Sequence, residues 1–325
     1  MIKTWQIGNL VIQNQLVLAP MAGYTDSPFR YLCRINGAGL VFTEMISSLG
    51  LCFNNVKTID LLKYKSEEHP IIVQLFGSNP EKLAQSAIIA EKLGFDGVDI
   101  NMGCPAPKII KGGGGGILLK DFSLIEQICN SVVKAVKIPV TIKIRYAYIP
   151  DNFIAEDVAK IAENSGIKCI TIHASSVIQN SQGARSWEVI KNVKDKVSIP
   201  VIANGGIKSV DDIRRILETT GVDAVMIGRA ALGRPWFFRE VLENLNNEKQ
   251  LNNKNIELIF NTLFEHIKLE REIRNDIMTI KELRKQIPFY LKGLPESGKI
   301  KDEINKINDM NKLLSILRNY KNSFF

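Results

Sequence analysis

Apolar residues fall into eight short, nearly continuous runs, at 16–20, 40–44, 71–75, 97–101, 140–144, 169–173, 201–205 and 224–228. Unbroken runs of this length, rather than alternating ones, suit parallel strands buried on both faces. Helical patterns lie between most of them, at 80–93, 123–136 and 209–219. Asn79 can cap the first, and Ser209 opens the third with Asp212 three residues on. Strands alternating with helices predict an α/β chain folded as a (β/α)8 TIM barrel, ending near residue 240, with a catalytic domain over 1–245. A doubly wound open sheet is the competing fold, and no GxGxxG follows an early strand.

Beyond Asn246 the pattern changes. Residues 246–255 are Asn-rich and read as a solvated linker. Apolar residues then recur at helical spacing: Ile256, Ile259, Leu263, Ile267, then Ile277, Ile280, Leu283, Ile287. This predicts a small helical-bundle domain over 246–325. It carries Lys281, Arg284 and Lys285 on one helix and Lys292 in the following turn.

Polar residues gather where the predicted strands end: Gln74, Asn101, Lys143, His173, Asn204 and Arg229. Barrel enzymes build their sites at that face. Cys104 follows closely, in Asn101-Met102-Gly103-Cys104-Pro105, and a thiol at a strand end is placed for chemistry more than for packing. A small buried core Cys is the plain alternative. The glycines 112–116 read as a mobile rim loop, a lid or mere linker, and the P-loop pattern GxxxxGK[ST] is absent. Asn204-Gly205-Gly206 and Gly228-Arg229 end the last two strands, where barrels hold phosphate. A cofactor phosphate or a phosphorylated substrate would fit. Lys143 and His173 could stabilise a reduced flavin, or Lys143 could form a Schiff base.

Composition narrows the partners. The chain has 325 residues, a net charge of +8 and a pI near 9.1. A basic surface attracts nucleic acid, although codon bias alone can enrich Lys and Asn. No apolar run is long enough to span a membrane, and the start does not read as a signal peptide. A cytoplasmic protein without membrane contact is expected. Cys33, Cys52, Cys104, Cys129 and Cys169 form no CxxC pair, which speaks against disulfides or zinc. His69, His173 and His266 lie far apart in sequence, so no metal site is expected.

Taken with Pro20-Met21-Ala22-Gly23-Tyr24-Thr25-Asp26, Thr43-Glu44-Met45, Lys143-Ile144-Arg145, Arg284-Lys285 and Tyr290-Leu291-Lys292-Gly293-Leu294-Pro295, these motifs carry a resemblance. Over nearly its whole length the chain resembles the tRNA-dihydrouridine synthases, most closely the bacterial B-class type. The resemblance implies bound FMN, NADPH or NADH as reductant, and uridine in tRNA as substrate. Pro20, Met21 and Ala22 would lie along the isoalloxazine. Gln74, Lys143 and His173 would bond its polar edge. Asn204, Gly205, Gly206, Gly228 and Arg229 would hold its phosphate. Asn101, Arg145, Lys281, Arg284, Lys285 and Lys292 would meet the tRNA. Reduced FMN would pass a hydride to uracil C6, and Cys104, as general acid, a proton to C5. A monomer is expected.

The chain departs from the family pattern after His173, where Ala174-Ser175-Ser176-Val177 replaces a segment with Arg-Thr. It departs again at Gly206, at 147–149, and around Gly183, Arg185, Ser186 and Trp187. Two other readings compete. One is a small-molecule flavin dehydrogenase of the dihydroorotate or dihydropyrimidine kind, with Cys104 as base. The other is an RNA-binding protein of this fold with decayed redox activity.

Overall fold

A computed structural model describes residues 3–150, 152–178, 187–246 and 255–325. The strands are β1 Trp5–Ile7, β2 Leu10–Ile12, β3 Leu16–Leu18, β4 Leu40–Ser47 and β5 Ile71–Phe76. They continue as β6 Gly97–Met102, β7 Val140–Ala147, β8 Cys169–Ser176, β9 Val201–Asn204 and β10 Ala224–Ile227. Strands β3 to β10 form a closed parallel barrel, with Met226 of β10 opposite Val17 of β3. All eight expected barrel strands are present.

Strand periodicity divides each strand between two environments. Leu16, Leu18, Ile71, Val73, Val98 and Ile100 pack outward in the core shared with the helices. Val17, Phe42, Ile72, Cys169, Ile202 and Met226 form a second, interior core. Trp5, Ile7 and Ile12 of the β1–β2 hairpin join that interior core and plug the barrel floor. Three-residue strands carry too little pattern to stand out in sequence, so the hairpin was not expected.

The helices run Pro80–Lys92, Phe122–Ala135 and Val210–Thr220 in the three expected places. Asn79 Oδ1 accepts from Lys82 N at 2.8 Å, and Ser209 with Asp212 closes a reciprocal capping box. Each such cap contributes about 1 kcal/mol.

Helices Ile256–Ile273, Asp276–Tyr290, Ser297–Ile304 and Met310–Asn322 surround their own core, which includes Leu263, Ile267, Ile280, Leu283 and Leu317. Ile277, expected inside, is exposed because it falls one position outside the buried stripe. The bundle docks firmly on the barrel. Gln286 Nε2 donates to Tyr24 O at 3.0 Å, and Arg274 meets Asp26 at 3.0 Å. The Tyr24 and Phe289 rings meet edge-on, 5.7 Å apart. No helix among the described residues is long and apolar enough to cross a membrane.

Candidate active site

Above the apolar interior, the inward positions turn polar. Asp99 and Asn101 share one face of β6, and Lys143 and Arg145 share one face of β7. Asp99 is fully buried and accepts from Gln74 Nε2 at 2.7 Å and Thr141 Oγ1 at 2.6 Å. Burial pushes its carboxyl up to about 6, although bonds from Thr141 and Gln74 and the charge of Lys143 oppose the shift. Burial, helped by Arg145, brings the Lys143 amine down to about 8, with Asp99 and Cys104 opposing. Asp99 is the counter-charge that an interior Lys needs. Sequence reasoning missed it, although it lies two residues before Asn101 on the same strand face.

Asn204 joins the cation to the imidazole. Its Nδ2 donates to Met226 O at 2.8 Å, which fixes the amide orientation. Its Oδ1 therefore accepts, from Lys143 Nζ at 3.1 Å and from His173 Nδ1 at 2.7 Å. His173 must carry its proton on Nδ1, leaving Nε2 as an acceptor. Burial, Lys143 and Arg145 lower its pKa to about 3 against the Asn204 bond, so the ring is neutral near pH 7. Lys143 is then the cation of this pair, and His173 contributes no positive charge.

These groups floor a cavity of about 320 Å³. Pro20, Met21 and Ala22 line it, as do Asn101, Cys104, Lys143, Arg145 and His173. So do Asn204, Gly205, Gly206, Gly228 and Arg229. Met45, not anticipated, adds a further side chain. Gln74 is not on the wall. It is fully buried behind Asn101, whose Nδ2 it accepts at 2.8 Å.

Cys104 is held from three sides. Asn101 Oδ1 accepts from Gly103 N at 3.2 Å and Cys104 N at 2.9 Å. Arg145 Nε donates to Gly103 O at 2.8 Å, and its guanidinium also bonds Ser175 Oγ at 2.5 Å and Ser176 O at 2.7 Å. Gly116 N donates to Cys104 O at 3.0 Å. Asn101 and Arg145, expected on the substrate, thus spend these polar atoms on the thiol loop and on β8.

Part of the glycine run expected as a mobile rim loop is packed against the barrel. Gly114, Gly115 and Gly116 are buried. Gly115 has φ +64°, and a Cβ there would stand 2.8 Å from Cys104 O. A Cβ on Gly116 would stand 2.7 Å from Val177 Cγ2. Gly115 and Gly116 are needed for close packing beneath Cys104. Gly183, Arg185 and Ser186 lie outside the described residues, as does most of the expected linker at 246–255.

The expected phosphate loops have suitable backbone. Gly205 and Gly206 adopt φ of +105° and +81°, which a side chain would strain. Arg229 stands exposed on the turn Arg229–Ala231 at the cavity rim. Among the bundle's basic residues, Lys281 and Lys285 are exposed. Lys285 pairs with Glu282 at 2.7 Å and stands by the Gly23 loop at the mouth. Arg284 is otherwise employed, since its Nη2 donates to Ile307 O at 2.6 Å and Asn308 Oδ1 at 3.0 Å. It faces the bundle's own loop because the helix turns it away from its neighbour Lys285. Lys292 lines a separate cavity between barrel and bundle.

Sequence distance was misleading for His266. Ligand-type atoms of His266, Asp26 and Glu270 lie within 4.8 Å of one another at the barrel–bundle junction. Arg274 bonds both carboxylates and supplies the counter-charge there. Burial and the nearby Glu270 raise the Asp26 carboxyl to about 7. Bonds from His266 and Asp26 hold Glu270 low, although burial acts the other way.

Comparison with known proteins bears on the fold and the family. Solved structures with a similar fold include histamine dehydrogenase from Rhizobium sp. 4-9, at TM-score 0.60 and 12% identity, over 81% of this chain and 50% of that one. A variant of NCR from Zymomonas mobilis matches at TM-score 0.54 and 17% identity, over 77% and 96%. These likenesses concern the fold alone. The tRNA-dihydrouridine synthase B of Pseudomonas aeruginosa is 39% identical over 97% of this chain and 95% of its own. That of Vibrio vulnificus is 38% identical over 97% and 98%. A sequence model of dihydrouridine synthase (Dus) matches residues 17–325, and the chain belongs to the dihydrouridine synthase family.

Proposed function

We propose that this chain is an FMN-dependent tRNA-dihydrouridine synthase, reducing uridine in tRNA to 5,6-dihydrouridine at the expense of NADPH or NADH. The observation that carries the reading is Cys104, held rigidly on a cavity whose floor is Lys143, His173 and Asn204. The residues present fit a flavin mononucleotide. A half-buried cation, an imidazole acceptor, two glycines with positive φ and an exposed Arg229 match its polar ring edge, ribityl hydroxyls and phosphate. Pro20, Met21 and Ala22 supply apolar surface for its ring. When bound, FMN supplies the hydride that reduces uracil C6.

The chain's own residues do the rest. Cys104 donates its Sγ proton to C5, which completes the reduction and leaves a thiolate that solvent reprotonates. Asn101, Arg145 and Gly116 fix the thiol's loop, so little ordering remains for the reacting complex. Uridine must leave its stack to enter the cavity. Residues 246–325 act as the tRNA-binding domain, with Lys281 and Lys285 contacting phosphates beside the mouth.

Titration of the purified protein with FMN tests the reading. Saturable uptake is expected, weakened at least tenfold in Arg229→Ala by loss of a charge-assisted bond to phosphate. A wild-type protein that takes up no FMN would exclude the flavin reading.

A further inference from the structure

The barrel interior below the site is apolar, yet Asp99 lies fully buried at its upper edge. Parallel register sets it between Gln74 of β5 and Thr141 of β7. Its two oxygens accept from those neighbours, Oδ2 from Gln74 Nε2 and Oδ1 from Thr141 Oγ1. The Lys143 amine donates instead to Asn204 Oδ1. A carboxylate taken out of water is costly. Counter-charge to Lys143 accounts for its presence, but not for where its hydrogen bonds go.

Those bonds have a direction. An ionised carboxylate only accepts, so Gln74 must turn its NH2 to Asp99 and its carbonyl oxygen away. That oxygen accepts from Asn101 Nδ2 at 2.8 Å, and Asn101 Nδ2 also faces Met45 Sδ at 3.1 Å. Asn101 Oδ1 is thereby left to accept from Gly103 N and Cys104 N, at 3.2 and 2.9 Å. With its amide reversed, Asn101 would press NH2 against two backbone N–H donors, and the thiol loop would lose both bonds. Gln74 could support that reversed state only by turning its own amide. Its carbonyl oxygen would then face the Asp99 carboxylate, a repulsion that a buried site does not screen.

We propose that Asp99 is a positioning residue for Cys104: its carboxylate fixes the amide of Gln74, and through it the amide of Asn101, so that the thiol loop is held for proton transfer. The inference rests on the proposed proton donation by Cys104. Asp99 is not on the cavity wall and acts through these two amides.

Asp99→Leu, close in shape but without the acceptor, tests this in a double-mutant cycle with Cys104→Ala. The first readout is oxidation of the reduced, FMN-loaded full chain by tRNA, followed by stopped-flow absorbance. Asp99→Leu should slow it about tenfold or more while Cys104 is present. In the Cys104→Ala background, where no thiol remains to be misplaced, it should slow it less than about twofold. The second readout is amide hydrogen exchange in the FMN-free chain. The Cys104 amide should exchange about tenfold faster in Asp99→Leu, while the helix Val210–Thr220 exchanges as in wild type. Gln74→Met breaks the same relay and leaves the Asp99 charge beside Lys143, so it should give both results, and it carries the test if Asp99→Leu does not fold. Equal slowing with and without Cys104, no slowing at all, or wild-type exchange at Cys104 would overturn the proposal and leave Asp99 as counter-charge to Lys143. Oxidation of Cys104→Ala by tRNA at the wild-type rate would overturn the underlying proton-donor reading, and this proposal with it.

Discussion

At the scale of single residues, the site is a set of polar side chains that satisfy one another. Asn204 fixes His173 and receives Lys143, while Asp99 supports Lys143 from below. One prediction concerns the thiol. Cys104→Ala should slow uridine reduction on the order of a hundredfold or more, yet leave flavin reduction by NADPH near normal. Stopped-flow absorbance separates the two half-reactions, and equal loss in both would make Cys104 structural. A second prediction concerns pH. Lys143 loses its charge as pH passes about 8, so flavin reduction should fall on the alkaline side with a midpoint near there. The sign for stability is opposite. A depressed Lys pKa means the native state holds fewer protons than the unfolded chain above pH 8, so this residue's contribution grows as pH rises. Lys143→Met should remove that slope from urea-melt stability measured between pH 8 and 10, a range chosen from the ordinary lysine pKa of about 10.4.

At the scale of elements, the thiol loop and the glycine run form one packed unit. Gly116→Ala would force a Cβ against Val177 and displace the backbone that holds Cys104 O. A loss of about 1–3 kcal/mol is expected, read as a lower urea midpoint, together with slowed uridine reduction. The barrel strands and the strand-end polar set were legible because buried parallel strands and their inward faces follow simple periods. The glycine run was not, since five glycines describe permission to bend and say nothing of what packs against them. Asn101, Arg145 and Gln74 were located correctly as to strand. Their partners depend on contacts between strands, which no single run encodes. On the helix Asp276–Tyr290 the same limit separated neighbours. Arg284→Ala should mainly destabilise the bundle, by about 1–3 kcal/mol, because charged bonds to Ile307 O and Asn308 are lost. Replacing Lys281 and Lys285 should instead weaken tRNA binding and flatten its salt slope by about one per phosphate contact. Filter binding over a salt series distinguishes these outcomes, and an unchanged slope would move the RNA contact elsewhere.

At the scale of the whole molecule, a barrel whose strand-end cavity fits the proposed flavin is joined to a basic helical bundle through a tight junction. Gly233, Gln286 and the Asp26–Arg274 pair hold the bundle beside the barrel mouth, where a flipped-out uridine would enter. The basic charge seen in composition thus has a place in the fold, and the Pro20–Asp26 segment links both parts. The most direct measurement is nucleoside mass analysis of an unmodified tRNA transcript after incubation with the FMN-loaded protein and NADPH. Dihydrouridine should appear, dependent on both NADPH and FMN. A tRNA that is bound but gains no hydrogen, or a protein that reduces free pyrimidines and ignores tRNA, would contradict the account.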